Sequence, residues 1–251
     1  MKNELIIIID FDSTFVKVEA LDKLAEIALK NKKNKNRLLF EIKKITSLGM
    51  EGIISFPESL TRRFSLLSAN KKHVSKLISL LKKNVSISIN KSRGFFINNS
   101  KNIYIISGGF REYIYPIVAD FGIKKKNVLA NNFIFDKKGN IIGFDKKQFL
   151  CQENGKVKQL KSMGLKGKIW VVGDGWTDYQ IRENGLAEKF IAFFENVKRT
   201  NVAKKADQIV NSFDEFIILN GLKMKNYAKI GKKPGKPAYR TPSGFRSQKT
   251  Y

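Results

Sequence analysis

The run Asp10-Phe11-Asp12-Ser13-Thr14 sets two carboxylates two residues apart, directly after the apolar stretch Leu5 to Ile9. A β-branched run this short and continuous suits a buried strand of a parallel sheet. Both acids then leave the sheet at its carboxyl edge, where open α/β sheets bind ligands, and a period of two can turn both to one side. Like charges so close oppose joint ionisation and need a shared proton or a cation. A hard divalent ion such as magnesium meets that need. Taken alone, Asp-x-Asp is equally a turn in which Asp and Ser cap a helix.

Three further segments carry the same kind of chemistry. Ser107-Gly108-Gly109 follows a second apolar run, Ile103 to Ile106, and precedes a helical pattern; such a turn offers a hydroxyl and free backbone N–H groups to an anion at a helix N-terminus. Gly173-Asp174-Gly175-Trp176-Thr177-Asp178 ends a third run, Lys168 to Val172, and its two acids can coordinate a hard cation directly and through its waters. Lys156, in Asn154-Gly155-Lys156, opens a helix and can neutralise phosphate as a point cation. Each of these alone is as readily a tight turn, a surface acid pair or a solvated lysine.

The elements that must position these groups alternate. Phe190 to Phe194 is a fourth apolar run, and repeated strand-then-helix order predicts a doubly wound α/β fold with a mainly parallel sheet. Between the first two runs the pattern turns helical, with Leu21, Leu24, Ala25 and Ala28 on one face and Ser55 opening a helix that runs through Arg63. These features assign a helical cap to residues 17–83 and a core to 1–16 and 84–221. Asn84 to Ser100 fits neither period well, and Gly94 interrupts it, so only a weak helix is expected there. Asn131 to Phe144 reads as a β-hairpin flap around Lys137-Lys138-Gly139-Asn140. Lys223 to Tyr251 holds seven Lys, two Arg, no acid and three of the five prolines, so 222–251 is expected to be a basic, disordered tail.

Composition bounds the rest. The chain has 251 residues, enough for a real core with no disulfide or metal staple. A single cysteine, Cys151, excludes an internal disulfide and suits a reducing, cytoplasmic location. The five-residue run Leu5 to Ile9 is too short for a signal-peptide core or a membrane span. The net charge of +26, from 48 basic and 22 acidic residues, favours non-specific attraction to nucleic acid. The lysines are scattered beside Asn and Ile, however, and are not gathered with aromatics into a recognition module.

The four motifs, in this order and each at a strand end or helix start, resemble the haloacid dehalogenase superfamily of phosphatases, and within it the phosphoserine phosphatase family. The resemblance spans residues 5–221 and implies the following roles. Asp10 is the nucleophile that forms an aspartyl-phosphate and Asp12 the general acid and base. Magnesium is held by Asp10, Asp12, Asp174 and Asp178. Ser107, Gly108, Lys156 and Thr177 bind the phosphoryl group. Glu19 falls at the position that takes the substrate's amino group, Arg63 at that for its carboxylate, and Met50 and Phe56 at apolar pocket positions. A guanidinium suits a carboxylate because it donates two parallel hydrogen bonds. The implied substrate is a small phosphomonoester, O-phospho-L-serine, in the last step of serine biosynthesis. Two alternatives stand beside it: a sister phosphatase for another small phosphomonoester, and a basic nucleic-acid-binding protein with vestigial phosphatase residues. Trp176 departs from the family, where many relatives carry a small residue, and Ile87-Ser88 lacks the expected Pro-Gly.

Overall fold

A computed structural model of the protein describes residues 4–222. The tail expected over 222–251 lies, apart from Leu222, outside the described residues. Six parallel strands form one sheet in the order β3-β2-β1-β6-β7-β8. These are β1 (Leu5–Ile9), β2 (Ile103–Phe110), β3 (Val128–Asn131), β6 (Lys168–Gly173), β7 (Lys189–Phe193) and β8 (Gln208–Val210). Alternation along β1 explains its unbroken apolar run. Ile7 and Ile9 pack on one face with Phe11, Phe15 and Ile105, and Ile6 and Ile8 on the other with Val157, Leu160 and Ile181. A strand covered on both sides has no polar face to offer.

Strand order reverses at β1, because the chain builds β2 and β3 to one side and β6, β7 and β8 to the other. The crevice at such a switch point is where the carboxyl ends of β1, β2 and β6 lie side by side. Two strands were not anticipated: β3 and β8 have four and three residues and sit at the sheet edges. Runs this short carry little periodicity, so tertiary pairing decides them.

Four helices fill the interval after the first motif: α1 (Ala20–Ala28), α2 (Lys35–Met50), α3 (Phe56–Ser65) and α4 (Lys71–Lys83). Ser55 caps α3 by accepting the Glu58 N–H at 3.3 Å, with Pro57 in the first turn, where its missing N–H costs nothing. Helix α1 packs on α2 and α4, and α2 on α3, while α4 also packs on α7 (Arg111–Val118) of the core. The chain leaves and re-enters the core through paired segments: Val16 bridges Val85, and Lys17 N–H donates to Asn84 O at 2.8 Å.

The hairpin forms as β4 (Phe133–Phe135) and β5 (Ile141–Phe144). Its Phe144 ring meets Phe64 of α3 edge-on at 5.0 Å, and Phe133 stacks on Phe110 at 3.8 Å, so the flap ties α3 to the end of β2. The weakly patterned stretch resolves into two short helices, α5 (Ile87–Lys91) and α6 (Arg93–Asn99), which meet at Ser92. The Ser92 hydroxyl donates to Asp214 at 2.8 Å, and Phe95 and Phe96 are buried against Phe213. Packing, not periodicity, made these helices. The remaining helices are α8 (Gly155–Met163), α9 (Trp176–Glu183), α10 (Thr200–Ala203) and α11 (Phe213–Leu219). No helix among the described residues is long and apolar enough to cross a membrane.

Candidate active site

Asp10 is fixed at the end of β1 by its N–H, which donates to Val172 O of β6 at 3.0 Å. The loop that follows is anchored by Phe11 and Phe15, both fully buried and stacked at 6.0 Å. Between them Ser13 adopts φ +53, a left-handed conformation uncommon for a non-glycine residue. The Ser13 hydroxyl donates to Glu19 Oε1 at 2.7 Å, and Asp12 Oδ1 accepts the Ala20 N–H of α1 at 2.8 Å. One tight loop therefore orients the second acid and the first residue of the cap side together.

Oxygens of Asp10, Asp174 and Asp178 all lie within 4.8 Å of one another. Lys156 Nζ bridges two of them, at 2.8 Å from Asp10 Oδ1 and 2.7 Å from Asp178 Oδ1. Asp174 receives Thr14 Oγ1 at 3.0 Å and Arg199 Nε at 3.0 Å. Burial pushes Asp178 up to about 8, the neighbouring Asp10 adding to the rise and Lys156 opposing it. Burial likewise raises Asp174 to about 7, with Arg199 pulling down and Glu19 and Asp10 pushing up. Burial works to lower Lys156, but its anionic partners Asp10 and Asp178 outweigh it, so its net shift is upward and it stays protonated. Three crowded hard-oxygen donors that resist joint ionisation fit a divalent cation, which takes such ligands directly. The side chain of Asp12 stands outside this group, held instead by α1. Of the four residues expected around the ion, Asp10, Asp174 and Asp178 bring their side-chain oxygens together, and Asp12 directs its carboxylate to α1.

The anion side differs from the expected turn. Strand β2 runs through Ser107-Gly108-Gly109, and two extra residues bulge between the pairs Ile106–Leu129 and Phe110–Asn131. Bulges re-aim backbone beside active sites. Here Gly109 N–H donates to Ser107 Oγ at 3.0 Å, and Asn131 Nδ2 holds Gly108 O at 2.8 Å. A Cβ on Gly108 would lie 2.2 Å from Phe56 Cζ, so only glycine lets the cap ring close on the strand end.

Across the cavity, Arg63 is buried at 4% exposure. Its Nε donates to Ser59 O at 3.3 Å and its Nη1 to Thr46 Oγ1 at 3.2 Å, with Asp22 Oδ1 at 3.8 Å. Thr46 in turn donates to Asp22 at 2.8 Å. Glu19 lies 3.6 Å from Arg199 Nη2. Burial is the largest influence on both Glu19 and Asp22, and it raises each. About 30 Å³ of free space lies between Asp12, Glu19, Met50, Arg63 and Ser107. A second cavity of about 100 Å³ adjoins it and shares Phe56, Gly108, Lys156 and Thr177 as lining. Trp176 stands outside the acid cluster, over Gly52 of the cap and 5.1 Å from the Tyr179 ring. It covers the rim and does not crowd the loop.

A family model of haloacid dehalogenase-like hydrolases matches residues 7–183. The chain belongs to this family. Among relatives of this haloacid dehalogenase-like hydrolase, the chloroplastic phosphoserine phosphatase of Arabidopsis thaliana is 31% identical over 212 residues, covering 83% of this chain and 69% of the relative. Among solved structures, a phosphoserine phosphohydrolase-like protein from Francisella tularensis superposes with a TM-score of 0.77 at 31% identity, covering 86% of this chain and 99% of that one. A phospho-aspartyl intermediate analogue of phosphoserine phosphatase gives 0.69 at 28% identity, covering 89% and 100%. The parallel sheet expected from sequence is the fold these relatives share.

All twelve residues expected at the site line one or both cavities or belong to the acid cluster. Sequence reasoning missed Thr14, Asn131 and Arg199. Arg199 carried no signal among 48 basic residues, and Asn131 ends a strand too short to be recognised. Thr14 sat inside the first motif, where its distance from Asp174 in sequence hid the pairing.

Proposed function

We propose that this hydrolase cleaves O-phospho-L-serine to L-serine and phosphate, using magnesium and an aspartyl-phosphate on Asp10. The observation that carries this reading is one cavity bounded by two chemistries: the Asp10–Lys156–Asp178 cluster at the sheet edge, and the opposite charges of Glu19 and Arg63 on the cap side. A phosphorylated zwitterion needs both. The phosphoserine phosphatase relatives support the same substrate.

In this reading Asp10 attacks phosphorus in line and the P–O bond to serine breaks, giving an acyl phosphate on Asp10. Asp12 gives its proton to the departing serine oxygen. Burial, then the charges of Glu19 and Asp10, raise the Asp12 carboxyl well above its ordinary value, which suits a proton donor. Water then attacks phosphorus, Asp12 takes its proton, and the acyl phosphate breaks to free Asp10 and phosphate. Ser107, the Gly108 N–H, Thr177 and Lys156 hold phosphoryl oxygens throughout. Asp10, Asp174 and Asp178 would hold a divalent cation, magnesium in this reading, which would offset the negative charge of phosphate and nucleophile. Met50 and Phe56 exclude water from the substrate's methylene. The cap closes over the bound substrate to exclude water. The same reading keeps the enzyme in the cytoplasm, where its one thiol, Cys151, stays reduced.

The test is phosphate release from O-phospho-L-serine with and without magnesium, with Asp10→Asn alongside. Metal-dependent release abolished by the substitution is the expected result. Turnover of other phosphomonoesters without phosphoserine would keep the mechanism and discard the substrate. Silence on every ester, with tight nucleic-acid binding, would favour the vestigial reading drawn from the +26 charge.

A further inference from the structure

Tyr113, on α7, is fully buried; only the Phe110 N–H is directed at its oxygen, and the hydroxyl's own proton has no acceptor among the described residues. The ring cannot drift to find one. It is held by Phe11, Phe110 and Phe133, each with centroids 6.2 Å away. A buried hydroxyl left unpaired costs about 1–3 kcal/mol, so each such group calls for an explanation. Among the five unpaired buried atoms of the described residues, this one lines the small cavity together with Asp12, Glu19 and Arg63.

Gly109 locates it further. A Cβ there would lie 2.7 Å from Tyr113 Oη and 3.2 Å from Asp12 Oδ2, so the phenol and the carboxylate approach one point above the bulged end of β2. Any larger residue at 109 would displace the hydroxyl from the cavity. The phenol is neutral and offers one proton, and the cavity presents it with a ligand instead of a protein acceptor. Phosphoryl oxygens already have Ser107, Thr177, Lys156 and backbone N–H groups. Arg63 has spent Nε and Nη1 on Ser59 and Thr46, and its Nη2 has no hydrogen-bond partner among the described residues. The cap therefore supplies one free donor for a carboxylate, which accepts more than one.

We infer that Tyr113 is a specificity-determining residue whose hydroxyl donates to the substrate's α-carboxylate, opposite Arg63. This rests on the phosphoserine reading above. The hydroxyl stays in place unpaired when the site is free and is satisfied on binding, so its pairing favours substrates that bring a carboxylate over those that do not.

Tyr113→Phe removes one oxygen and keeps the ring packing. The experiment compares kcat/KM for O-phospho-L-serine and for O-phosphoethanolamine, which lacks the carboxylate, in wild type and variant. A hydrogen bond to a charged group is worth enough to move the ratio of the two constants about tenfold or more towards phosphoethanolamine, with inhibition by the product L-serine weakened in parallel. The melting temperature is expected to hold or rise, because an unpaired buried group has been deleted. If wild type shows no preference for phosphoserine, the substrate reading fails and this assignment with it. If wild type prefers phosphoserine and the variant keeps the same ratio, only the Tyr113 assignment falls. Equal losses on both substrates would overturn it too, by moving the hydroxyl's role to the phosphoryl group or Asp12, and a melting temperature lower by more than about 3 °C would mean that the hydroxyl proton already has a protein acceptor.

Discussion

The acids at the sheet edge and the charges of the cap face one cavity but are held there by different means. Asp10 and Asp174 directly follow β1 and β6, Ser107 sits in the bulge of the adjacent β2, and backbone hydrogen bonds such as Asp10 N–H to Val172 O set their positions. Glu19 and Arg63 depend on side-chain partners: Ser13 and Arg199 for the first, Ser59 and Thr46 for the second. The difference teaches where each function is vulnerable. Backbone-held chemistry fails only when a reacting group itself is changed, whereas side-chain-held recognition can be loosened from one residue away.

The sharpest break of that comparison is Asp10→Asn, which removes the nucleophile and leaves its backbone bonds. Phosphate release should fall by about 10⁴-fold or more, with the melting temperature unchanged or higher because a crowded buried charge is lost.

Arg63→Ala should cost about 3 kcal/mol of binding to a carboxylate, roughly 100-fold in kcat/KM for phosphoserine. An aryl phosphate without a carboxylate should change by less than about threefold, on the same principle that only substrates making the contact lose it. Steady-state kinetics on both substrates measure the contrast; equal losses would mean that the cap and the chemistry are not separable.

Thr46→Val touches neither substrate nor metal. It deletes the hydroxyl that joins Arg63 to Asp22, and should raise KM for phosphoserine several-fold while lowering stability by about 1–3 kcal/mol. Denaturant unfolding and KM are the readouts, and a shift in kcat instead would contradict a purely positioning role.

The smallest effect belongs to a pair remote from both regions. Arg182 forks onto Asp207 at 2.9 and 3.3 Å, and Asp207 also accepts the Phe190 N–H at 2.7 Å. Burial works to raise the Asp207 carboxyl, but these donors outweigh it and lower it. A depressed folded pKa stabilises above the unfolded value and is lost as pH falls through the folded one. The side chains are 40% and 33% exposed, so solvent screening leaves about 0.5 kcal/mol. Asp207→Asn should lower the melting temperature by about 2 °C at pH 7, with the gap closing below the ordinary aspartate range.

Legibility in the sequence followed a similar divide. The four longest strands carried their own signal because strands buried on both faces read as unbroken apolar runs, and three of the runs led directly into a motif. The capped helix from Ser55 was equally plain. Edge strands β3 and β8, the helix pair α5 and α6, and the bulge in β2 were not legible, since each exists through pairing or packing with distant residues. The same holds for Arg199, one cation among many until the fold sets it beside Asp174.

By itself the sequence determined the doubly wound order of elements, the motif residues at the strand ends, and the opposite charges of the cap, because periodicity and residue chemistry are local properties. Only the tertiary structure decided that oxygens of Asp10, Asp174 and Asp178 converge, that Lys156 bridges two of these acids, and that the Tyr113 hydroxyl lies unpaired beside Asp12. Those facts depend on side-chain direction across a strand-order reversal, where residues more than a hundred positions apart come within hydrogen-bond reach, and no local pattern records a distance of that kind.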